Sequence, residues 1–158
     1  MKTAAERAHG FTLLELVVVL ALVALTTAGV SLALRDSDAA SLEREGLRLS
    51  AMLESARAQS RTSGLPVVWR SLPQGFEFVG LPTLRDGRQV ASSLAGPRGW
   101  LHPETRATVL QPPGAQVLVL GPEPLIAAQR IELVQGAHRL TLSTDGLAPF
   151  AVVNTVAP

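Results

Sequence analysis

The sequence predicts an α+β protein, in which a long N-terminal helix packs on a C-terminal antiparallel β head of one or two sheets. Three observations predict this arrangement. Residues 11–34 form an apolar run, residues 36–63 contain no proline and repeat their apolar positions with helical spacing, and after Gly64 the pattern changes to a period of two. The chain has 158 residues, 47% of them hydrophobic, which suffices for a core and excludes a disordered protein. The absence of cysteine excludes a disulfide scaffold.

The apolar run of residues 11–34 contains one charged side chain, Glu15. About 24 residues with a rise of 1.5 Å each give a helix of roughly 36 Å, which exceeds the hydrocarbon thickness of about 30 Å. Lys2 and Arg7 precede the run, so the positive-inside rule predicts a cytoplasmic N-terminus. We therefore expect a transmembrane helix over 11–34, with the rest of the chain on the opposite side of the membrane.

Two ordinary interpretations of this segment fit less well. A secretory signal peptide has an apolar region of about 7–15 residues, and this run is longer. A plain signal anchor fits the length and the charge bias but leaves Glu15 unexplained, because a carboxylate within a membrane helix costs about 2.5–3.5 kcal/mol or more.

Residues 10–15 read GFTLLE, and with the apolar run that follows they resemble the type IV prepilin signal of the pilin-like superfamily. The resemblance implies that residues 1–10 are a leader, which a prepilin peptidase removes by cutting between Gly10 and Phe11. It further implies N-methylation of Phe11 and retention of the helix. Glu15 would then neutralise the new amino terminus of its own or a neighbouring subunit and set the register of assembly.

Residues 35–64 are predicted to continue the helix outside the membrane as an amphipathic segment. Leu42, Leu49 and Ala56 recur every seven residues, and Met52 and Leu53 lie beside that line, which is the apolar stripe of a helix packed against a partner. Gly64 and Pro66 then predict where the helix ends. The remaining faces are interpreted as solvated and of mixed charge; they carry Glu43, Arg44, Glu45, Arg48, Glu54, Arg57 and Arg61.

Two charge pairs in this segment, Glu45 with Arg48 and Glu54 with Arg57, have the spacing of weak helical ion pairs. A basic patch for DNA or an acidic partner, formed by Arg57 and Arg61, is the less favoured interpretation of this helix face.

Residues 65–158 are predicted to form the β head. Short apolar or alternating segments bounded by turn residues predict strands at 66–70, 76–79, 107–110, 116–120, 130–134, 139–143 and 149–153. Residues 72–75, 135–137 and 145–146 carry turn signals. The segment from Gly80 to Glu104 is rich in glycine and proline and is predicted to be a long loop of the kind that is often mobile or in contact with a partner.

The sequence contains no motif of catalytic or metal chemistry. His9, His102 and His138 lack ligand spacing, and no nucleophile elbow or phosphate-binding glycine loop is present. Trp69 and Trp100 are predicted to be core or loop anchors, and Asp145 a turn residue. We therefore expect no enzyme, cofactor, metal or small-molecule substrate.

Several later segments resemble one subfamily of the pilin-like superfamily. Residues 56–61 (ARAQSR), 64–67 (GLPV), 121–126 (GPEPLI), 129–131 (QRI) and 144–150 (TDGLAPF) resemble the H-type minor pseudopilins of type II secretion, the general secretion pathway H proteins. This implies a subunit near the tip of a periplasmic pseudopilus, anchored in the bacterial inner membrane, that supports export of folded proteins. Its partners would be other minor pseudopilins and the major pseudopilin.

Two alternatives remain open. The first is a minor pilin of a type IV pilus, involved in pilus assembly or DNA uptake. Without residues 1–10 the chain carries no net charge, so no nucleic-acid partner is expected, although Arg85, Arg88 and Arg98 in the long loop could cluster. The second is a signal-anchored periplasmic domain with no role in assembly.

Overall fold

The computed structural model describes residues 13–81, 84–85, 88–89 and 92–153, except the side chains of 28–36, 84–85 and 88–89. Helix α1 spans Leu13–Ser63. The strands are β1 (Val67–Leu72), β2 (Gly75–Val79), β3 (Leu84–Arg85), β4 (Arg88–Gln89), β5 (Arg98–Gly99), β6 (Arg106–Gln111), β7 (Val117–Leu120), β8 (Gln129–Gln135), β9 (His138–Thr144) and β10 (Ala151–Val153). The expected α+β class is confirmed, and each predicted strand is present. The chain forms two compact units, divided between Ser37 and Asp38. We call the unit from Asp38 onward, which includes the C-terminal part of α1, the head.

The head contains two four-stranded antiparallel sheets, which resolves the choice between one sheet and two. The first has the order β5-β2-β1-β7 and the second the order β10-β9-β8-β6, while β3 and β4 pair separately. Burial alternates along β1, β7 and β8, whereas β9 buries the consecutive residues Leu140, Thr141 and Leu142. The core side chains of the sheets include Val67, Trp69, Phe76, Phe78, Leu118, Leu120, Ile131, Leu133, Leu140 and Leu142.

Within the head, the helical residues from Asp38 onward bury the predicted apolar stripe against the sheets. Leu42, Leu49, Leu53 and Ala56 are all at most 2% exposed. Burial of each leucine side chain contributes about 1.5–3 kcal/mol, so this stripe is a main source of head stability.

Gly46 lies on the same face of α1 and marks its closest approach to a sheet. A β-carbon at this position would lie 2.8 Å from a methyl group of Leu140 in β9. Glycine within a helix is ordinarily destabilising, but here the missing side chain makes room for Leu140.

The predicted end of the helix is confirmed. The Gly64 amide donates to the Ser60 carbonyl over 2.9 Å, and Gly64 has a φ of 71°, the left-handed conformation typical of a helix C-cap.

The predicted long loop between Gly80 and Glu104 is interrupted by three two-residue strands, β3, β4 and β5, and its other described residues are turns or irregular. β5 pairs with β2 in the first sheet, and Leu94 and Trp100 are 4% and 8% exposed, so the second half of the segment belongs to the core. The short strands β3 and β4 pair within the first half. Strands of two residues are too short to give a period of two, which is why the glycine and proline residues dominate the sequence signal.

Candidate functional site

The part of the N-terminal motif that the structure describes begins at Leu13. Gly10 and Phe11, the predicted cleavage and methylation residues, lie outside the described residues. Glu15 lies in the first turn of α1, where a negative charge is favoured by the helix dipole.

The apolar surface that follows the motif is exposed on every side of the helix. All side chains from residue 13 to residue 27 are exposed, with Leu13 at 81% and Leu25 at 74%. The hydroxyl groups of Thr26 and Thr27 donate to the Val23 carbonyl over 2.9 Å and 2.7 Å, so these polar groups are bonded within the helix. A helix that is apolar on all faces requires an apolar environment, either lipid or other helices.

No helix in the portion of the chain that the structure describes combines the length and apolar character needed to cross a membrane. The predicted span of 11–34 extends beyond the described side chains 13–27 at both ends.

Two charged side chains of the helix, Glu45 and Arg48, bind β5 and the residues that follow it. Glu45 is 1% exposed, accepts from the Leu101 amide and pairs with Arg48 over 2.9 Å. Arg48 also donates to the Gly99 carbonyl over 3.2 Å and lies 5.7 Å from the centre of the Phe76 ring. The predicted ion pair is confirmed, but Glu45 does not belong to a solvated face.

The second predicted ion pair, between Glu54 and Arg57, is wrong. Glu54 accepts from the Phe150 amide over 3.0 Å. Arg57 is 1% exposed and donates to the carbonyl oxygens of Gly146 and Pro124, the latter over 3.1 Å. The interpretation of Arg57 as part of a solvated face is therefore also wrong, because long-range carbonyl acceptors draw its guanidinium into the head.

Ser50, Glu54 and Arg57 share one face of α1, since their spacing of four and three residues corresponds to successive turns. All three bind segment 145–150: the Ser50 hydroxyl donates to the Phe150 carbonyl, next to the bonds of Glu54 and Arg57. This polar face fixes the segment that leads into β10.

Asp145 has the predicted role of a turn residue. One carboxylate oxygen accepts from the amides of Ala148 and Leu147 over 2.7 Å and 2.9 Å. These bonds, first the one from Ala148, lower the pKa of Asp145 below its ordinary value of 3.8, and the positive charge of Arg57 lowers it further.

This shift predicts a pH dependence of head stability. Because the pKa of Asp145 is lower in the folded state, its contribution is complete above pH 3.8 and is lost as the pH falls through the folded-state pKa. We expect wild type to melt above Asp145→Ala at pH 7 and the difference to shrink on acidification. Asp145→Asn, which keeps an oxygen acceptor without the charge, serves as the control and should lie a constant interval above Asp145→Ala. A difference between wild type and Asp145→Ala that did not change with pH would contradict the assignment.

The remaining candidates are three histidines, two tryptophans and three arginines. His9 lies outside the described residues, and no group of metal-ligating side chains occurs among the residues the structure covers. Trp69 and Trp100 are core residues, as predicted. Arg85 and Arg88 lie opposite each other in β3 and β4, whereas Arg98 lies in the first sheet, so the backbone divides these arginines between two sheets.

Three comparisons with known proteins bear on the function. The family described as "Prokaryotic N-terminal methylation motif" matches residues 7–31. No curated protein matches the chain. Two crystal structures of the type IV minor pilin FimU from Pseudomonas aeruginosa (strain PAO1) are similar to this chain.

The FimU structure in space group P21 has a TM-score of 0.51 and 14% identity and covers 71% of this chain and 87% of its own. The structure in space group P65 has a TM-score of 0.50 and 13% identity and covers 71% of this chain and 92% of its own. At this identity the likeness establishes the fold, which is pilin-like. The motif and the fold point to a structural subunit and not to an enzyme family.

Proposed function

We propose that this chain is a minor pseudopilin of H type, a structural subunit of the tip region of a type II secretion pseudopilus. The methylation motif at residues 7–31, which leads directly into a helix with an apolar surface exposed on all sides, supports a pilin-like subunit. The resemblance of segments within residues 56–67 and 121–150 to the H-type pseudopilins supports the type. Such a surface suits storage in a membrane and later burial among the helices of a filament.

The proposed sequence of events starts in the inner membrane, with the N-terminus cytoplasmic, the helix over 11–34 spanning the bilayer and the head periplasmic. A prepilin peptidase cuts between Gly10 and Phe11 and methylates Phe11. During assembly the helix leaves lipid for the filament core, beside other minor pseudopilins and the major one. There Glu15 pairs with the amino terminus of a neighbour and fixes the register. The filament supports export of folded proteins across the outer membrane.

We predict that Glu15→Ala abolishes function without preventing membrane insertion. The gene is deleted and replaced by wild type, Glu15→Ala or Glu43→Ala, and exported enzyme activity in the medium is compared with activity retained in the periplasm. Glu43 is an exposed glutamate of the same helix and is the matched control. Wild type and Glu43→Ala should restore secretion, and Glu15→Ala should not, because an uncharged side chain cannot neutralise the neighbouring amino terminus.

Mass spectrometry of the three proteins shows whether each begins at a methylated Phe11. An uncut chain would favour the signal-anchored domain without an assembly role. Incorporation of Glu15→Ala into pseudopili at wild-type level would contradict the role of Glu15.

A minor pilin of a type IV pilus is the second candidate, and the similarity of the fold to FimU favours it. Secretion would then be normal in the deletion strain, while twitching motility or DNA uptake would be impaired. The same set of strains therefore separates the two functions.

A further inference from the structure

We propose that the head binds an extended polypeptide segment of another protein along the free edge of β7. The segment has apolar side chains at alternate positions and a lysine or arginine beside Glu123. This inference concerns a groove of the head alone. It therefore holds whether the chain is a pseudopilin or a minor pilin.

The groove has a volume of about 460 Å³ and lies between β7 and the connection from β7 to β8. Its walls are mainly apolar, with Val117 and Val119 from the strand and Leu125 and Ile126 from the connection. Val119 and Leu125 are 50% and 64% exposed. These side chains would be covered by an apolar ligand.

The strand that forms one wall is the edge of its sheet. β7 pairs with β1, and no other strand of the described chain pairs with it. Since alternate residues of an antiparallel strand direct their N–H and C=O groups to opposite sides, Val117 and Val119 share one side. An edge of this kind is a template for a further strand.

A hydrogen bond of Gln129 identifies which side of β7 faces the groove. Its side-chain amide donates to the Val119 carbonyl over 2.8 Å, from the side of β7 that faces the groove. Gln129 is 3% exposed, yet its side-chain oxygen Oε1 has no hydrogen-bond partner among the described residues. This oxygen is itself closed to solvent, so an added strand would bond instead to the backbone groups of Val117 and to the Val119 N–H on the groove side of β7.

The negative charge of Glu123 indicates which polypeptide segment would bind in the groove. Glu123 is the charged side chain among those that line the groove, it is exposed, and it takes part in no ion pair of the described residues. An apolar segment with a cation opposite Glu123 therefore complements the groove better than a neutral or acidic one.

The test uses the full chain in detergent micelles, labelled with ¹⁵N and titrated with two blocked synthetic peptides, Thr-Val-Thr-Val-Thr-Lys-Thr and Thr-Val-Thr-Val-Thr-Glu-Thr, in which the valines and the charged side chain share one face of the strand. We expect the lysine peptide to shift the amide signals of Val117 and Val119 and the side-chain amide of Gln129. It should bind about two- to fivefold more tightly than the glutamate peptide, as for an exposed ion pair, and Glu123→Gln should remove this preference. N-methylation of the central peptide bond should weaken binding, because it removes a backbone donor.

Two matched valine variants locate the site. Val119→Arg places a cation in the groove, whereas Val153→Arg changes a valine of similar exposure, 47%, on the edge strand β10 of the other sheet. Both valines are half exposed, so neither change disturbs the core. Binding should be lost in Val119→Arg and retained in Val153→Arg.

Several results would overturn the proposal. One is the absence of shifts at millimolar peptide, and another is an equal effect of the two arginine variants. Shifts confined to β10 would place the peptide elsewhere. Self-association of the chain through β7 without peptide, detected by sedimentation, would identify a second copy as the occupant instead.

Discussion

Replacing Arg57 with alanine will lower the free energy of unfolding of the head by about 3 kcal/mol, through the cavity and the lost hydrogen bonds. The Arg57 side chain is 1% exposed and donates to the carbonyl oxygens of Gly146 and Pro124. These bonds join α1 to two separate segments of the head. Alanine leaves both oxygens without this donor and leaves the volume of the side chain empty.

Arg61 provides the matched control, because it is an arginine one turn further along α1 and is exposed. Arg61→Ala should change stability by less than about 0.5 kcal/mol. Arg57→Met should fall between the two, since methionine fills much of the volume but donates no hydrogen bond.

The measurement is urea unfolding of the full chain in detergent, followed by tryptophan fluorescence. Trp69 and Trp100 both belong to the core of the head, so the signal reports on this unit. Equal midpoints for Arg57→Ala and Arg61→Ala would show that the buried arginine does not stabilise the head.

Gly146→Ala is expected to cost more than about 3 kcal/mol, because backbone strain and a backbone clash act together. Gly146 has a φ of 96°, and a β-carbon there would lie 1.8 Å from the Ile126 carbonyl oxygen. The clashing oxygen belongs to the backbone, so movement of a side chain cannot relieve the contact. Displacement of Gly146 would also disturb its carbonyl, which is the acceptor for Arg57.

Gly114→Ala separates strain from clash. Gly114 has a φ of 77°, but no atom lies within 4 Å of the position of its β-carbon. The left-handed conformation alone should cost about 1–2 kcal/mol there. The same urea titration gives both values, and equal losses for the two variants would contradict the predicted clash.

The stability losses of Arg57→Ala and Gly146→Ala should not be additive. Arg57 and Gly146 meet at one hydrogen bond, so the double variant is expected to lose less stability than the sum of the single losses. This coupling would confirm that segment 145–150 is held to α1 through this contact.

Local patterns determined most of the fold. The apolar stripe through Leu42, Leu49 and Ala56 is buried as its spacing predicts, and α1 ends at Ser63, immediately before Gly64. Each of the predicted strands is present with ends shifted by at most two residues. These features depend on neighbours along the chain, namely helical spacing, alternation and turn chemistry, and a single sequence contains all of that information.

The candidate site was predictable only in part. The motif around Glu15 was visible because its acidic residue interrupts an apolar run, and the match at residues 7–31 supports the motif. The edge groove at β7 was not, because nothing in the sequence distinguishes Gln129 from an ordinary polar residue at the start of a strand.

By itself the sequence determined the long helix, the β head, the N-terminal methylation motif and the absence of recognisable catalytic motifs. The tertiary structure decided that the head has two sheets, that Glu45 and Arg57 are buried, and that Leu94 of the predicted loop belongs to the core. The physical reason is that burial of a charged side chain requires acceptors or donors at defined positions. For Arg57 these are carbonyl oxygens 67 and 89 residues away along the chain, and only the folded chain brings them together.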